Sequence, residues 1–145
     1  MYLALIGLGS NLGNREEHLR LAVSALRGCV GVVLQQSALY YSLPVGFESG
    51  NHFVNQVVAV ATRLEPCSLL VATQDIERQL GRTEKSHNGI HHDRTIDIDL
   101  LRVFEYDSKG DKHEVYIDTP TLTLPHPCIA VRPFVYLPMS EIYSD

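Results

Sequence analysis

The sequence contains no tryptophan, only two methionines and only three cysteines. Cys29, Cys67 and Cys128 are odd in number and far apart, which argues against a disulfide framework and fits reduced thiols in buried or half-buried positions. No apolar run approaches the roughly 20 residues of a membrane span. Met1 to Gly7 offer neither a basic leader nor a cleavage site, so they do not read as a signal peptide, and a cytoplasmic location is expected. Positive charge is also scarce, with 12 Lys and Arg against 17 Asp and Glu, a net charge of −5. That balance argues against a surface-wide basic platform for nucleic acid or anionic membrane, and leaves room for a local basic pocket.

The remaining composition is that of a folded chain. Apolar residues make up 45% and charged residues 20%, which argues against disorder. At 145 residues, one domain over 1–145 is expected, large enough to bury a core without covalent staples. A monomer is expected.

Residues 2–8 form a near-continuous apolar run, the pattern of a central strand. Asn14 followed by Glu17 reads as a capping box. Leu19, Ala22, Val23 and Leu26 then recur at helical spacing, which predicts an amphipathic helix over 15–27 closed by Gly28. Val32–Tyr41 reads as a strand, Ser42–Gly50 as a loop and Phe53–Thr62 as a second strand, the three together forming a long-looped hairpin. Pro66 suits the first turn of a helix that Leu69, Ala72, Thr73, Ile76 and Leu80 continue and Gly81 stops. Arg82–Asp93 has no apolar period and reads as a surface loop without apolar anchors, expected to be mobile until a ligand binds. Thr95–Phe104 is a strand, Asp107–Asp111 a turn, and Glu114–Ile117 a short return strand. The proline-rich remainder reads as irregular, with one or two helical turns. The order is β-α-β-β-α-β with a C-terminal appendage. It predicts an α+β, ferredoxin-like antiparallel sheet with both helices on one face.

The stretch richest in chemistry is Arg94-Thr95-Ile96-Asp97-Ile98-Asp99-Leu100-Leu101. Residues two apart on a strand share a face, so Asp97 and Asp99 stand together, about 6.6 Å apart along the strand. Two carboxylates in an apolar strand are costly unless cations neutralise them. Mg²⁺ takes one or two carboxylates plus substrate phosphates, and two ions could share such a pair over a polyphosphate. By spacing alone, a solvent-facing edge strand is an equal reading. Arg82, Lys85, Arg94 and Arg132 shift the balance, because cations gathered near metal-binding acids on an acidic protein suit a phosphate ligand. The glycines of Gly7-Leu8-Gly9-Ser10-Asn11-Leu12-Gly13 have the wrong spacing for a dinucleotide fingerprint and lack the Gly-Lys-Ser/Thr of a phosphate-binding loop. His91-His92-Asp93 has no accompanying zinc-ligand set.

Gly9-Ser10-Asn11-Leu12-Gly13, Phe53-Val54-Asn55, Gln74-x-x-Glu77, Leu80-Gly81-Arg82, the Arg94–Leu101 block and Leu124-Pro125-His126-Pro127 follow one another in this order. Together they resemble the 6-hydroxymethyl-7,8-dihydropterin pyrophosphokinase family of folate biosynthesis, from Leu3 to about Ile142. The resemblance implies a ferredoxin-like fold and transfer of the pyrophosphoryl group of ATP to the pterin hydroxyl, with AMP leaving. It implies that Asp97 and Asp99 hold two Mg²⁺ ions, and that Arg82 and Arg94 join them as catalytic residues. Gln74, Lys85, Arg94, Ile98, Thr123, His126 and Arg132 would line the ATP side. The pterin would stack between Phe53 and Phe134, with Asn55 and backbone groups of Ser42, Leu43 and Val45 reading its edge. Many members carry an aromatic followed by Gly-Pro just before the position of Arg94, where this chain has His91-His92-Asp93. Many have two extra arginines in the preceding loop, where it has Glu84, Lys85 and Asn88, and a basic residue where it has Thr121.

Two rival functions carry different products. A nucleotidyltransferase also combines Gly-Ser with Asp-x-Asp, but about a dozen residues apart, whereas here Ser10 and Asp97 lie most of a chain apart. A non-catalytic ferredoxin-like module for RNA or a small effector would want a basic surface. AMP, pyrophosphate or no turnover separates the three. The partners expected are ATP and the pterin, with no nucleic acid and no membrane.

Overall fold

The structure, a computed structural model, describes residues 1–42, 52–81 and 95–143. Its six-stranded antiparallel sheet runs β1 (Tyr2–Ser10), β2 (Gly31–Gln36), β3 (Tyr40–Ser42), β4 (Phe53–Thr62), β5 (Asp97–Tyr106) and β6 (Lys112–Glu114) in chain order, and β2-β4-β1-β5-β6 in space, with β3 also paired to β4. Helices α1 (Arg15–Cys29) and α2 (Pro66–Gln79) supply the two crossovers. This is the ferredoxin-like arrangement expected from the element order.

Side-chain parity divides the sheet into two faces. Ala4, Ile6 and Leu8 of β1, Val54, Val58 and Val60 of β4, and Ile98 and Leu100 of β5 pack under α1 and α2. The opposite parity gives Leu3, Leu5, Val57, Ala59 and Leu101, a second, smaller core. That core is covered by Val135, Met139 and Ile142 of a C-terminal helix, α3 (Pro133–Ile142). The appendage is therefore more ordered than one or two turns. It opens with a small ribbon of β7 (Ile117–Asp118) and β8 (Thr123–Leu124), and a short 3₁₀ turn at Ile129–Val131 leads into α3. Pro133 stands at the helix start, where an N–H has no partner to lose; Pro138 lies buried inside the helix and costs it one backbone hydrogen bond.

Local chemistry explains most boundaries. Asn14 caps α1 by accepting from the Glu17 N–H at 3.3 Å. Glu65 caps α2 with bonds from the Ser68 and Cys67 N–H groups, and Pro66 follows it. Gly81, at φ +101°, ends that helix as expected. Gly28 does not end α1. The helix runs on to Cys29, and the glycine that matters is Gly31, where a Cβ would meet the Ala61 carbonyl oxygen at 2.0 Å. The run Val32–Tyr41 is two strands rather than one. Ser37 breaks it by turning inward, with its N–H bonded to Val57 O and its hydroxyl accepting from Val57 N–H. Cys29 and Cys67 are exposed rather than buried; Cys128 is half-buried.

One irregularity shapes everything that follows. Leu100 pairs with Ile6 and Arg102 with Leu5, so Leu101 is an extra residue, a β-bulge. Leu101 shares the face of Asp97 and Asp99 by simple alternation; the bulge switches parity beyond it, so that Phe104 joins Leu101 in the second core while Val103 turns to the helix side.

Candidate active site

On the face away from α1 and α2, β1 reads Gly9, Gly7, Leu5, Leu3. The leucine half lies under α3, and the glycine half has no side chain to fill it. Register places Asn55, Gly9 and Asp97 in one cross-strand row and Val57, Gly7 and Asp99 in the next. Directly opposed residues share a face, so the two aspartates and Asn55 flank a glycine floor. The result is a basin lined by Gly7, Gly9, Phe53, Asn55, Asp97, Asp99, Leu101, His126, Arg132, Phe134 and Val135, among others. A Cβ on Gly9 would stand 3.1 Å from Asn55 Oδ1 and 3.5 Å from the Phe53 ring, so Gly9 lets both side chains close over the strand.

Each wall is positioned by a different element. Asn55, 7% exposed, donates from Nδ2 to Ser42 Oγ at 2.8 Å and to the Tyr40 carbonyl at 3.3 Å, which leaves Oδ1 turned to the glycine side. The Asp97–Asp99 strand end is anchored from below. Glu77 of α2, 2% exposed, accepts from the Ile98 N–H at 2.8 Å, midway between the two aspartates. The bulge anchors His126, whose N–H donates to the Leu101 carbonyl at 2.8 Å. The His126 Nδ1 accepts from the Cys128 N–H at 3.1 Å, so in the neutral ring the proton stands on Nε2. Burial chiefly, and the nearby Arg132 charge after it, push the His126 pKa below 6.5, against an upward pull from Asp97. His126 is thus held neutral, as a donor. Arg132, just before α3, keeps its guanidinium carbon 5.9 Å from the Phe134 ring centroid.

The structure brings Asp97, Asp99, Phe53, Asn55, His126, Arg132 and Phe134 to one basin. Ser42 lies behind Asn55 as its hydrogen-bond acceptor. Ile98 faces the helix-side core, 2% exposed, so its side chain does not reach the basin. Half-buried Gln74 on α2 and Thr123 on β8 also lie outside its lining. Leu43, Val45, Arg82, Lys85 and Arg94, with the Arg82–Asp93 loop, lie outside the described residues. Reading the sequence misses the floor itself. Its signal is Gly7 and Gly9 alternating with Leu8 inside an otherwise apolar strand, which marks a close approach rather than a phosphate loop. Glu77 belongs to a recognisable motif, but its anchoring role shows only in the fold.

Two half-buried carboxylates on one strand face, with glycines across from them on β1, fit hard divalent cations that take oxygen ligands and complete their shells with water and phosphate. Among the described residues no group of three or more His, Cys, Asp or Glu forms a ready-made metal cage. A pair of acids, a neutral imidazole donor, a guanidinium and two phenyl rings would suit a polyphosphate beside a flat heterocycle.

The fold is ferredoxin-like, and the family model and relatives that match the chain are those of a transferase. A family model described as 7,8-dihydro-6-hydroxymethylpterin-pyrophosphokinase (HPPK) matches residues 5–144. The chain is 44% identical over 144 residues to the 2-amino-4-hydroxy-6-hydroxymethyldihydropteridine pyrophosphokinase of Porphyromonas gingivalis, covering 98% of this chain and 91% of that one. It is 40% identical to the Bacillus subtilis enzyme of the same name, covering 97% and 77%. Among solved structures, the Plasmodium falciparum HPPK-DHPS superposes with a TM-score of 0.70 at 16% identity, over 98% of this chain and 40% of that one, a likeness of fold. The chain belongs to the 7,8-dihydro-6-hydroxymethylpterin-pyrophosphokinase family.

Proposed function

We propose that the basin is where this family's reaction takes place and that the residues brought together there perform it. The reaction itself comes with the family: the pyrophosphoryl group of ATP passes to the hydroxyl of 6-hydroxymethyl-7,8-dihydropterin, giving AMP and the pterin diphosphate, a step of folate biosynthesis. The observation that carries the residue assignment is the register of three strands. It sets Asn55 on one side of a glycine floor and Asp97 with Asp99 on the other.

In this reading the pterin lies between Phe53 and Phe134, where offset stacking suits a flat ring, and the Asn55 Oδ1 accepts from its edge. Ser42, Leu43 and Val45 complete that edge. The triphosphate extends over Asp97 and Asp99, which would hold two Mg²⁺ ions; bound there, the ions neutralise phosphate charge and align the transferring group. Neutral His126 donates through Nε2 to a phosphate oxygen, and Arg132 supplies fixed positive charge at the α3 side. Arg82, Lys85 and Arg94 are assigned to the ATP side, Arg82 and Arg94 also to the charge that develops in transfer; Gln74, Ile98 and Thr123, beyond the basin's lining, are assigned to the same side. The pterin hydroxyl oxygen bonds to the β-phosphorus and gives up its proton to solvent, the bond from that phosphorus to the oxygen bridging to the α-phosphate breaks, and AMP departs with that oxygen. Positioning and electrostatics carry this chemistry without a covalent enzyme intermediate.

The chain is proposed to act as one domain over 1–145, as a monomer, in the cytoplasm, without nucleic-acid or membrane partners. No helix among the described residues is long and apolar enough to cross a membrane. The test of the site is the nucleotide product with Mg-ATP and the pterin. Pterin-dependent AMP is expected from the wild type. Asp97→Ala is expected to lose about a thousandfold or more in turnover while its circular dichroism stays native. Full turnover in that variant would overturn the metal assignment; free pyrophosphate in place of AMP would point to nucleotidyl transfer.

A further inference from the structure

Glu141 sits in the last turn of α3, at the negative end of the helix dipole, where local electrostatics prefer a cation. It is not paired within its own helix. Its Oε1 accepts from the Ala38 N–H and its Oε2 from the Tyr40 hydroxyl, both at 2.7 Å and both more than 100 residues away in sequence. A charged acceptor with two short bonds to another element, placed against its helix's own preference, marks a tertiary constraint. The anchor it grips is firm, because adjacent Ser37 is 4% exposed and bonded to the Val57 backbone in both directions.

The two elements it joins are the two walls of the pterin end of the basin. The first turn of α3 carries Phe134. On the other side, β3 pairs Tyr40 with Asn55 and Ser42 with Phe53, and it supplies both acceptors for the Asn55 amide. We infer that Glu141 is a positioning residue for the pterin: its bonds to Ala38 and Tyr40 lock α3 to β3, and so hold Phe134 at a set distance from Phe53 and Asn55. The inference rests on the reading that the pterin occupies that gap. The phosphate end hangs mainly on β5 and the bulge, through Asp97, Asp99 and His126; of its described residues Arg132 adjoins α3, at the end opposite Glu141.

The test is steady-state kinetics of the full chain with each substrate varied against the other at saturation. Glu141→Ala is expected to raise the KM for 6-hydroxymethyl-7,8-dihydropterin about tenfold, the scale of a lost charge-assisted hydrogen bond, and to leave the KM for ATP within about twofold. Glu141→Gln, which keeps a carbonyl for the Ala38 N–H, is expected to recover most of the pterin KM. Tyr40→Phe removes one arm and serves if Glu141→Ala fails to fold; it is expected to fall between. A pterin KM within twofold of wild type in Glu141→Ala overturns the inference. So does an equal rise for both substrates, or the same loss in the Gln variant. Asn55→Ala separates the two levels. If it too leaves the pterin KM unchanged, the placement of the pterin is wrong and the tie loses its purpose. If it raises the KM while the Glu141 and Tyr40 variants do not, only the tie is wrong.

Discussion

Gly9 has the least chemistry of any residue in the basin and one of the tightest constraints. Its neighbours Asn55 and Phe53 occupy the volume a side chain would need. Gly9→Val suits a strand by propensity yet inserts branched carbons between Asn55 and Asp97. We expect kcat/KM to fall about a hundredfold, and the thermal midpoint to drop by several degrees as Asn55 and Phe53 are displaced. His126 makes a different prediction, in pH. Its folded pKa lies below 6.5, so its neutral form contributes stability in full above pH 6.5, and that contribution is lost as pH falls through the lower folded value. The thermal midpoint of the wild type should drop more steeply than that of His126→Ala between about pH 7 and 5. Parallel curves would show that His126 is not held neutral. The oppositely shifted group is exposed His113, raised by its bond to Asp107; its small contribution is present below pH 6.5 and fades as pH rises through the raised value. The two trends therefore have opposite sign.

At the scale of elements, α2 and β5 meet through Glu77, a carboxylate inside the helix-side core beneath the Asp97–Asp99 strand end. Glu77→Ala leaves the Ile98 N–H buried without this acceptor. That should cost about 1–3 kcal/mol in urea unfolding and also weaken nucleotide binding, since the same amide fixes the spacing of Asp97 and Asp99. Loss of stability with unchanged ATP affinity would make Glu77 a scaffold residue only. The first halves of β1 and β4 were legible because apolar runs and turn residues bounded them. The start of α1 was legible because Asn14 caps it. Element boundaries went astray where a long-range contact overruled a local signal: Ser37 splits a run of β-formers, and Gly28 is simply carried through the last turn of a helix whose apolar stripe already binds it to the sheet.

For the whole molecule, the net charge is −5, so in the proposed reading of the basin as an anion site the recognition falls to local cations. The outer edge of the sheet, β2, exposes Val32 at 63% and Leu34 at 55%. Scattered apolar residues of this kind are common on monomers. Light scattering is expected to give a mass near the 16.2 kDa of one chain. Val32→Lys with Leu34→Lys is expected to leave that mass and kcat/KM unchanged, whereas a dimer in the wild type, dissolved by the pair, would overturn the monomer.

The sequence by itself determined the β-α-β-β-α-β order, the pairing of Asp97 with Asp99 on one strand face, and the set of short motifs that mark the family. All of these are local: periodicity, caps and spacings act over a few residues. Only the tertiary structure decided that Gly7 and Gly9 form a floor between Asn55 and the aspartates, because strand register is a relation between segments some fifty or ninety residues apart. It alone showed the bulge at Leu101 that brings Phe104 onto the face of Asp97, Asp99 and Leu101, and the use of Leu101's carbonyl to seat His126. And it alone made the C-terminal segment a wall, since a proline-rich stretch with weak helical signals becomes α3 only when the second apolar face of the sheet is there to receive it.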